Sequence, residues 1–145
     1  MIVIQFIIWS LVLYICHRLA HSSSWLWQYH RDHHEQISDQ TNKGHHWTNY
    51  LLFFDSWKST MDQWLIEIIP TIIVCVIFWD VTLFVFYYFW AVLIQERIEH
   101  NPNFDIYPIL TSGKWHLIHH SNYDKNYGVF ISLWDKIFKT YKAKL

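Results

Sequence analysis

The stretch that most constrains the fold is residues 64–94, WLIEIIPTIIVCVIFWDVTLFVFYYFWAVLI, an apolar run interrupted only by Glu67, Pro70 and Asp80. As one helix it would measure roughly 45 Å at ~1.5 Å per residue, well beyond a ~30 Å hydrocarbon core. It reads either as a single tilted helix or as a hairpin that turns near Trp79–Asp80. Charge placement chooses between them. Every Lys and Arg falls within 18–58 or 97–144, and none lies in 1–16 or 59–96. The positive-inside rule then puts both polar regions on the cytoplasmic side, which requires an even number of crossings between them. The expectation is a helical hairpin over 64–94 with Asp80 near the far-side turn. Two short arms also fit a partly re-entrant pair. Glu67 is expected at the interface or facing the protein interior.

The chain opens on a second apolar run, MIVIQFIIWSLVLYIC. Residues 1–16 reach only roughly 24 Å, so the helix is expected to continue through HRLAH and to span the membrane over 1–21. There is no basic leader region and no small-residue cleavage site, so it reads as a retained transmembrane segment rather than a signal peptide. The abrupt opening leads us to expect a fragment or a minimal chain lacking upstream helices. The fold class is therefore all-α, a single integral-membrane helical domain over 1–145 with its polar segments on the cytoplasmic side. The membrane is the endoplasmic reticulum in a eukaryote and the inner membrane in a bacterium.

Composition supports this reading. Aromatic residues make up 20% of the chain and charged residues 16%, with ten Trp in 145 residues. A soluble domain this small would struggle to bury that much apolar surface, whereas lipid solvates it. A net charge of -1 gives no electrostatic case for nucleic acid. Cys16 and Cys75 sit inside apolar runs and form no CxxC pair, so they read as buried free thiols. Trp25, Trp27 and Tyr29 are candidates for an interfacial aromatic belt. The basic tail KTYKAKL is either a head-group contact or a solvated end.

The polar segments carry most of the eleven histidines. His17 and His21 are four apart and share one helix face. His30, His33 and His34 stand at i, i+3, i+4, and His116, His119 and His120 repeat that spacing. His100 follows the apolar block alone, and His45 and His46 form an adjacent pair. The expected topology gathers these clusters on one side of the membrane. Neutral imidazole suits zinc, iron, copper and nickel. Eight or nine imidazoles exceed the four ligands of a tetrahedral zinc. The surplus points to two metals, or to one metal with a proton relay, and we favour two. Spacing leaves the identity of the metal open.

The order HRLAH, HRDHH, an apolar hairpin, His100 and HLIHHSNYDKNYG…WDKIF resembles the fatty acid hydroxylase/sterol desaturase superfamily of integral-membrane di-iron proteins. The family pattern is an HxxxH box, an HxxHH box, a pair of membrane helices, a separate histidine and a final HxxHH box. An asparagine-tyrosine-glycine element and a tryptophan-aspartate element follow, matched here by Asn126, Tyr127 and Gly128 and by Trp134 and Asp135. The resemblance covers roughly residues 17–140. One departure is the closing phrase, where a Phe-Gly-Thr-like turn is replaced by Phe138, Lys139 and Thr140.

The resemblance implies two iron ions held by His17, His21, His30, His33, His34, His100, His116, His119 and His120, with His45 or His46 as additional ligands. No catalytic residue beyond these ligands is implied. Asp124, Asn126, Tyr127 and Asp135 are the expected supporting residues, and Asp124 leads because it lies four residues after His120. Asp32, Glu35, Glu96 and Glu99 are further carboxylates able to orient ligand rings or balance charge. The implied activity is O2-dependent hydroxylation, or desaturation, of a membrane lipid, fatty-acyl or sterol substrate. Electrons would come from an external donor such as cytochrome b5 or a ferredoxin. The rival readings are a histidine-rich membrane metal-binding or transport protein, and a catalytically inactive family member. A transport site would place its ligands at mid-membrane depth, and the clusters fall outside the apolar runs. A haem protein would need ligands on facing transmembrane helices, which this pattern lacks.

Overall fold

In the computed structural model, residues 1–35, 46–95, 98–104 and 110–143 are described. His45, Glu96 and Pro108 lie outside them. The described residues are α-helical with short irregular connections. Helix α1 (Ile2–Ser22) runs from the N-terminus through the HRLAH box. Ser23 leaves the helical region at φ -97, ψ 119. Its hydroxyl accepts the Leu26 N–H at 3.4 Å, so the serine run ends one helix and caps the next. Helix α2 (Ser24–Glu35) then folds back beside α1 and carries the second box.

After a 3-10 turn at Trp47–Leu51, helix α3 (Trp57–Phe78) begins seven residues before the apolar block. Ser56 caps it, accepting the Ser59 N–H at 3.0 Å. Lys58, Ser59 and Asp62 thus form a polar first stretch that hydropathy alone does not mark as membrane helix. Within α3, residues Trp64–Ile68 widen into a π-helical turn. Pro70 explains the widening. It has no N–H to donate, and in a regular helix its ring would collide with the carbonyl four residues back. The Ile69 N–H instead reaches Trp64, and Thr71 Oγ1 donates to the Glu67 carbonyl at 2.6 Å.

The chain reverses at Trp79, which adopts φ 51 and is 94% exposed. Asp80 Oδ1 accepts the Thr82 N–H at 2.9 Å. Helix α4 (Thr82–Gln95) returns alongside α3. Helix α5 (Lys114–Ser121) carries the last histidine box, and a short α6 (Leu133–Ile137) follows. Gly113, which starts α5, has φ 71, and a Cβ there would lie 2.1 Å from the Phe104 carbonyl oxygen.

Helices α1 and α3 are long and apolar enough to cross a membrane. Their inner faces contribute Trp9, Leu13, Ile68 and Val74 to a core that Leu83 of α4 and Phe130 of the loop before α6 complete. Trp9 Nε1 donates to Thr71 Oγ1 at 2.8 Å and ties α1 to α3. Val3, Ile4, Ile73, Ile77, Val85 and Phe89 point outward and are exposed, the pattern lipid would solvate. Cys16 and Cys75 are free thiols.

Candidate metal centre

Helix geometry sorts the histidines. A residue four positions on lies about 40° around the helix from its partner, whereas one three positions on lies about 60° to the other side. The i,i+4 pairs therefore stay together, and the i+3 member of each HxxHH box turns away. His17, His21, His30, His34 and His119 form one group, and His33, His100, His116 and His120 form the other. Within each group the available ligand atoms lie within 4.8 Å of one another. The His34 and His120 rings are 4.2 Å apart, so the groups adjoin. A cavity of about 30 Å³ borders both, touching His17 and His30 on one side and His33 and His116 on the other. Ile66 and Val129 supply its apolar wall.

The outer ring nitrogens fix the tautomers of the five-histidine group. His17 Nδ1 donates to the Tyr127 carbonyl at 2.9 Å. His119 Nδ1 donates to the Lys125 carbonyl at 2.6 Å. His30 Nδ1 donates to both Asp62 oxygens, at 3.0 and 3.2 Å. A neutral imidazole carries one N–H, so where both rings are neutral His17 and His30 turn bare Nε2 lone pairs inward. Those two atoms stand 3.1 Å apart. Two lone pairs do not make a hydrogen bond, and a cation between them removes the conflict. His30 Nε2 also lies 3.0 Å from His21 Nε2 and 3.1 Å from His34 Nε2. Metal–nitrogen bonds of ~2.0–2.1 Å put neighbouring ligand nitrogens about 3 Å apart, which is this spacing.

The four-histidine group converges in the same way. His120 Nε2 lies 2.7 Å from His116 Nε2, 3.2 Å from His33 Nε2 and 3.3 Å from His100 Nε2. One proton on His120 cannot satisfy three such neighbours. Each group is thus able to hold a metal ion.

Electrostatics keeps these imidazoles in the ligand form. Burial, reinforced by neighbouring imidazoles, holds His33, His34, His116 and His120 far below the usual histidine range. Burial pushes His100 down to about 4. His119 is pushed down to about 3 by burial, against an upward pull from the Lys125 carbonyl. All six are neutral at pH 7, as metal binding requires.

The remaining expected residues separate. Asp124 does not support a ligand. Its side chain is 77% exposed and pairs with Lys125 at 2.9 Å, because Asn122 has already ended α5 and turned the chain outward. Asp135 supports the site at one remove. Its carboxylate accepts the Tyr127 N–H at 2.8 Å, the Gly128 N–H at 2.9 Å and Thr140 Oγ1 at 2.8 Å. That clasp sets the Tyr127 carbonyl against His17. A Cβ on Gly128 would lie 2.7 Å from Asp135 Oδ2, so the clasp closes only over glycine. Asn126, at φ 58, anchors the loop by exchanging hydrogen bonds with the Lys142 backbone at 2.9 and 2.7 Å. Tyr14 donates to Thr140 Oγ1 at 2.9 Å, and Trp134 Nε1 donates to Ser10 Oγ at 3.0 Å, so the clasp is fastened to α1.

His46 is exposed and caps the 3-10 turn through Thr48, apart from both groups. Asp32 accepts from Ser56 and Ser59 and joins α2 to α3. Glu35 pairs with Arg31 at the surface. Glu99 Oε1 lies 3.6 Å from His116 Nε2. Asp62 is the residue that sequence reasoning missed. The available signal was an acid placed two residues before the apolar block.

The sequence pattern of the fatty acid hydroxylase family matches residues 2–140. The chain is also similar to proteins named Delta(7)-sterol 5(6)-desaturase. The one from Leptosphaeria maculans is 36% identical over 64 residues, covering 43% of this chain and 17% of the relative. The one from Candida glabrata is 33% identical over 60 residues, covering 41% of this chain and 15% of the relative. The one from Candida dubliniensis is 25% identical over 130 residues, covering 90% of this chain and 31% of the relative. The chain thus matches less than a third of the length of these relatives. No solved structure gives a significant match. With the family pattern running nearly end to end and its three histidine boxes folded into one buried cluster, the chain belongs to the fatty acid hydroxylase/sterol desaturase superfamily.

Proposed function

We propose that this chain is a membrane-embedded di-iron oxidoreductase that hydroxylates or desaturates a lipid, with O2 as co-substrate and electrons from an external donor such as cytochrome b5 or a ferredoxin. The observation that carries the reading is the convergence of His17 Nε2 and His30 Nε2, 3.1 Å apart, with both Nδ1 atoms already donating outward. The similarity to proteins named as sterol desaturases favours a sterol over a fatty-acyl chain. The charge pattern favours the cytoplasmic side for the histidines.

A bound iron pair supplies the activation of O2 that cleavage of an unactivated C–H bond requires. The protein's own residues do the rest. Asp62 and the Tyr127 and Lys125 carbonyls keep the protons of His30, His17 and His119 on Nδ1, which leaves Nε2 free as ligand and fixes each ring plane. Ile66 and Val129 keep the cavity between the groups apolar on one side, where a lipid C–H bond must reach. A groove of about 550 Å³ on the outer face of α1 offers the lipid a route. Tyr14, Ile15, Leu19, Tyr127 and Phe138 line it together with Arg18, Ser22 and His21 of the five-histidine group.

The test is a metal count on protein purified in detergent after expression with ample iron, combined with Mössbauer spectroscopy. Two irons per chain with the signature of a coupled ferric pair are expected. Zinc alone would indicate the metal-binding or transport reading. An intact iron pair with unchanged lipid profiles on expression would indicate an inactive family member.

A further inference from the structure

A second cavity, of about 40 Å³, runs between α3 and α4 and ends on His33 and His100. The exposed Asp55 gives it an outer end, and Ser59, Asp62, Gln63, Gln95 and Glu99 supply most of its polar wall. Polar side chains on strongly apolar helices usually turn toward protein or water for a functional reason. Gln95 is the informative one. It is 94% buried, from a relative exposure of 6%. Its Nε2 donates to Glu99 Oε1 at 3.2 Å. Its Oε1 has no hydrogen-bond partner among the described residues. A buried amide oxygen is almost always satisfied, by protein or by ordered water. The cavity exceeds the ~10–15 Å³ that one water needs, and its wall offers several polar partners. No member of the five-histidine group lines it.

We propose that this passage is a water-filled conduit joining the aqueous face at Asp55 to the four-histidine group, with Gln95 as a bridging partner for its water. The inference rests on the oxidase reading and gives it a need the lipid-facing groove cannot meet. Hydroxylation balances as RH + O2 + 2 e⁻ + 2 H⁺ → ROH + H2O, with the electrons from the external donor protein. Each turnover brings protons in and sends water out, and both travel poorly through a groove filled by the lipid substrate. Desaturation has the same requirement, with both oxygen atoms leaving as water.

The test begins with the full chain loaded with zinc, which fills the sites without redox chemistry, and a structure resolved well enough to show ordered water. Water within hydrogen-bond reach of Gln95 Oε1 is expected, together with its loss in Gln95→Leu and its retention in Gln95→Glu. A dry passage in the unsubstituted protein overturns the proposal. The second measurement uses iron-loaded protein and compares lipid oxidised with electrons consumed and peroxide released. Gln95→Leu is expected to lower this coupling roughly tenfold, below the ~10²–10⁴-fold of a directly positioned acid. Unchanged coupling overturns the conduit role even where water is seen. If Gln95→Leu fails to fold, Ser59→Val blocks the same passage and is expected to reduce both readouts. Loss of the oxidase reading would appear as absent iron or absent lipid oxidation, while the zinc-form water positions still decide whether the conduit exists.

Discussion

The two histidine groups are built from the same boxes yet supported in different ways. In the five-histidine group, three ligands have their outer nitrogens fixed, by Asp62, the Tyr127 carbonyl and the Lys125 carbonyl. Two of those supports belong to the loop after α5, which the Asp135 clasp secures to α1. The four-histidine group stands beside Glu99 and the polar passage; the outer nitrogen of His120 is buried without a partner among the described residues, as is that of His34 in the five-histidine group. One group is braced and faces the lipid groove through His21. The other has fewer such braces among the described residues and borders the polar passage. Rigid bracing suits a site that must hold its metal geometry, and polar access suits one that must exchange protons and water.

The largest effects should come from removing ligands one group at a time. His119→Ala should cost one metal ion per chain, taken from the five-histidine group, and His116→Ala should cost one from the other. Elemental analysis of purified protein reads both. If either substitution empties both groups, they form one cooperative site and the contrast between them fails. Next comes Asp62→Asn, which keeps an acceptor for His30 but removes the charge. Metal affinity of the five-histidine group should fall ~10–100-fold. Glu99→Gln should cost less, because Glu99 meets His116 on the Nε2 side, at 3.6 Å, rather than on its outer nitrogen. Chelator titrations of the two variants giving equal losses would remove the distinction.

Much of this arrangement was legible in the sequence. The i,i+4 pairs and the apolar blocks fixed which residues could meet, and nine of the expected histidines do meet. The division into five and four was not evident, because a box read as a unit hides the turn of its i+3 member. The start of α3 was also hidden, since Lys58, Ser59 and Asp62 belong to a membrane-length helix by capping and continuity rather than by hydropathy. Asp124 misled because spacing was extended past Asn122, where the helix has stopped. Asp62 was missed because it meets His30 across 32 positions of chain.

Acidification should separate metal-free from metal-loaded protein. In the folded metal-free chain His100 titrates near 4 and His119 near 3, whereas an unfolded histidine titrates near 6.5. The folded values are depressed, so below about 6.5 the unfolded state binds more protons. The stabilising contribution is therefore complete above about 6.5 and is lost as pH falls toward 4 and then 3. Thermal midpoints of metal-free protein should drop between pH 7 and 5, while bound metal, which competes with those protons, should flatten the dependence. A flat profile in the metal-free form would mean that the groups open to water once their ions leave.

The smallest expected effect tests the bracing itself. Lys139 occupies the place of the glycine in the family's closing turn, and it adopts φ 59. The left-handed region costs a side-chain-bearing residue ~1–2 kcal/mol, and glycine's greater freedom when unfolded returns roughly 0.5–1 kcal/mol of that. The side chain is exposed, so Lys139→Gly should stabilise the protein by the difference, up to ~1 kcal/mol. The adjacent Thr140 N–H and hydroxyl both bond to Asp135, at 2.8 Å each, so a relaxed turn tightens the clasp that holds the Tyr127 carbonyl against His17. Metal retention should therefore improve slightly in the five-histidine group and remain unchanged in the four-histidine group. Competition with a chelator, read separately for the two ions, measures this. An equal gain in both groups would show that the clasp supports the whole fold. A loss of stability would show that the lysine side chain contributes more than its backbone strain costs.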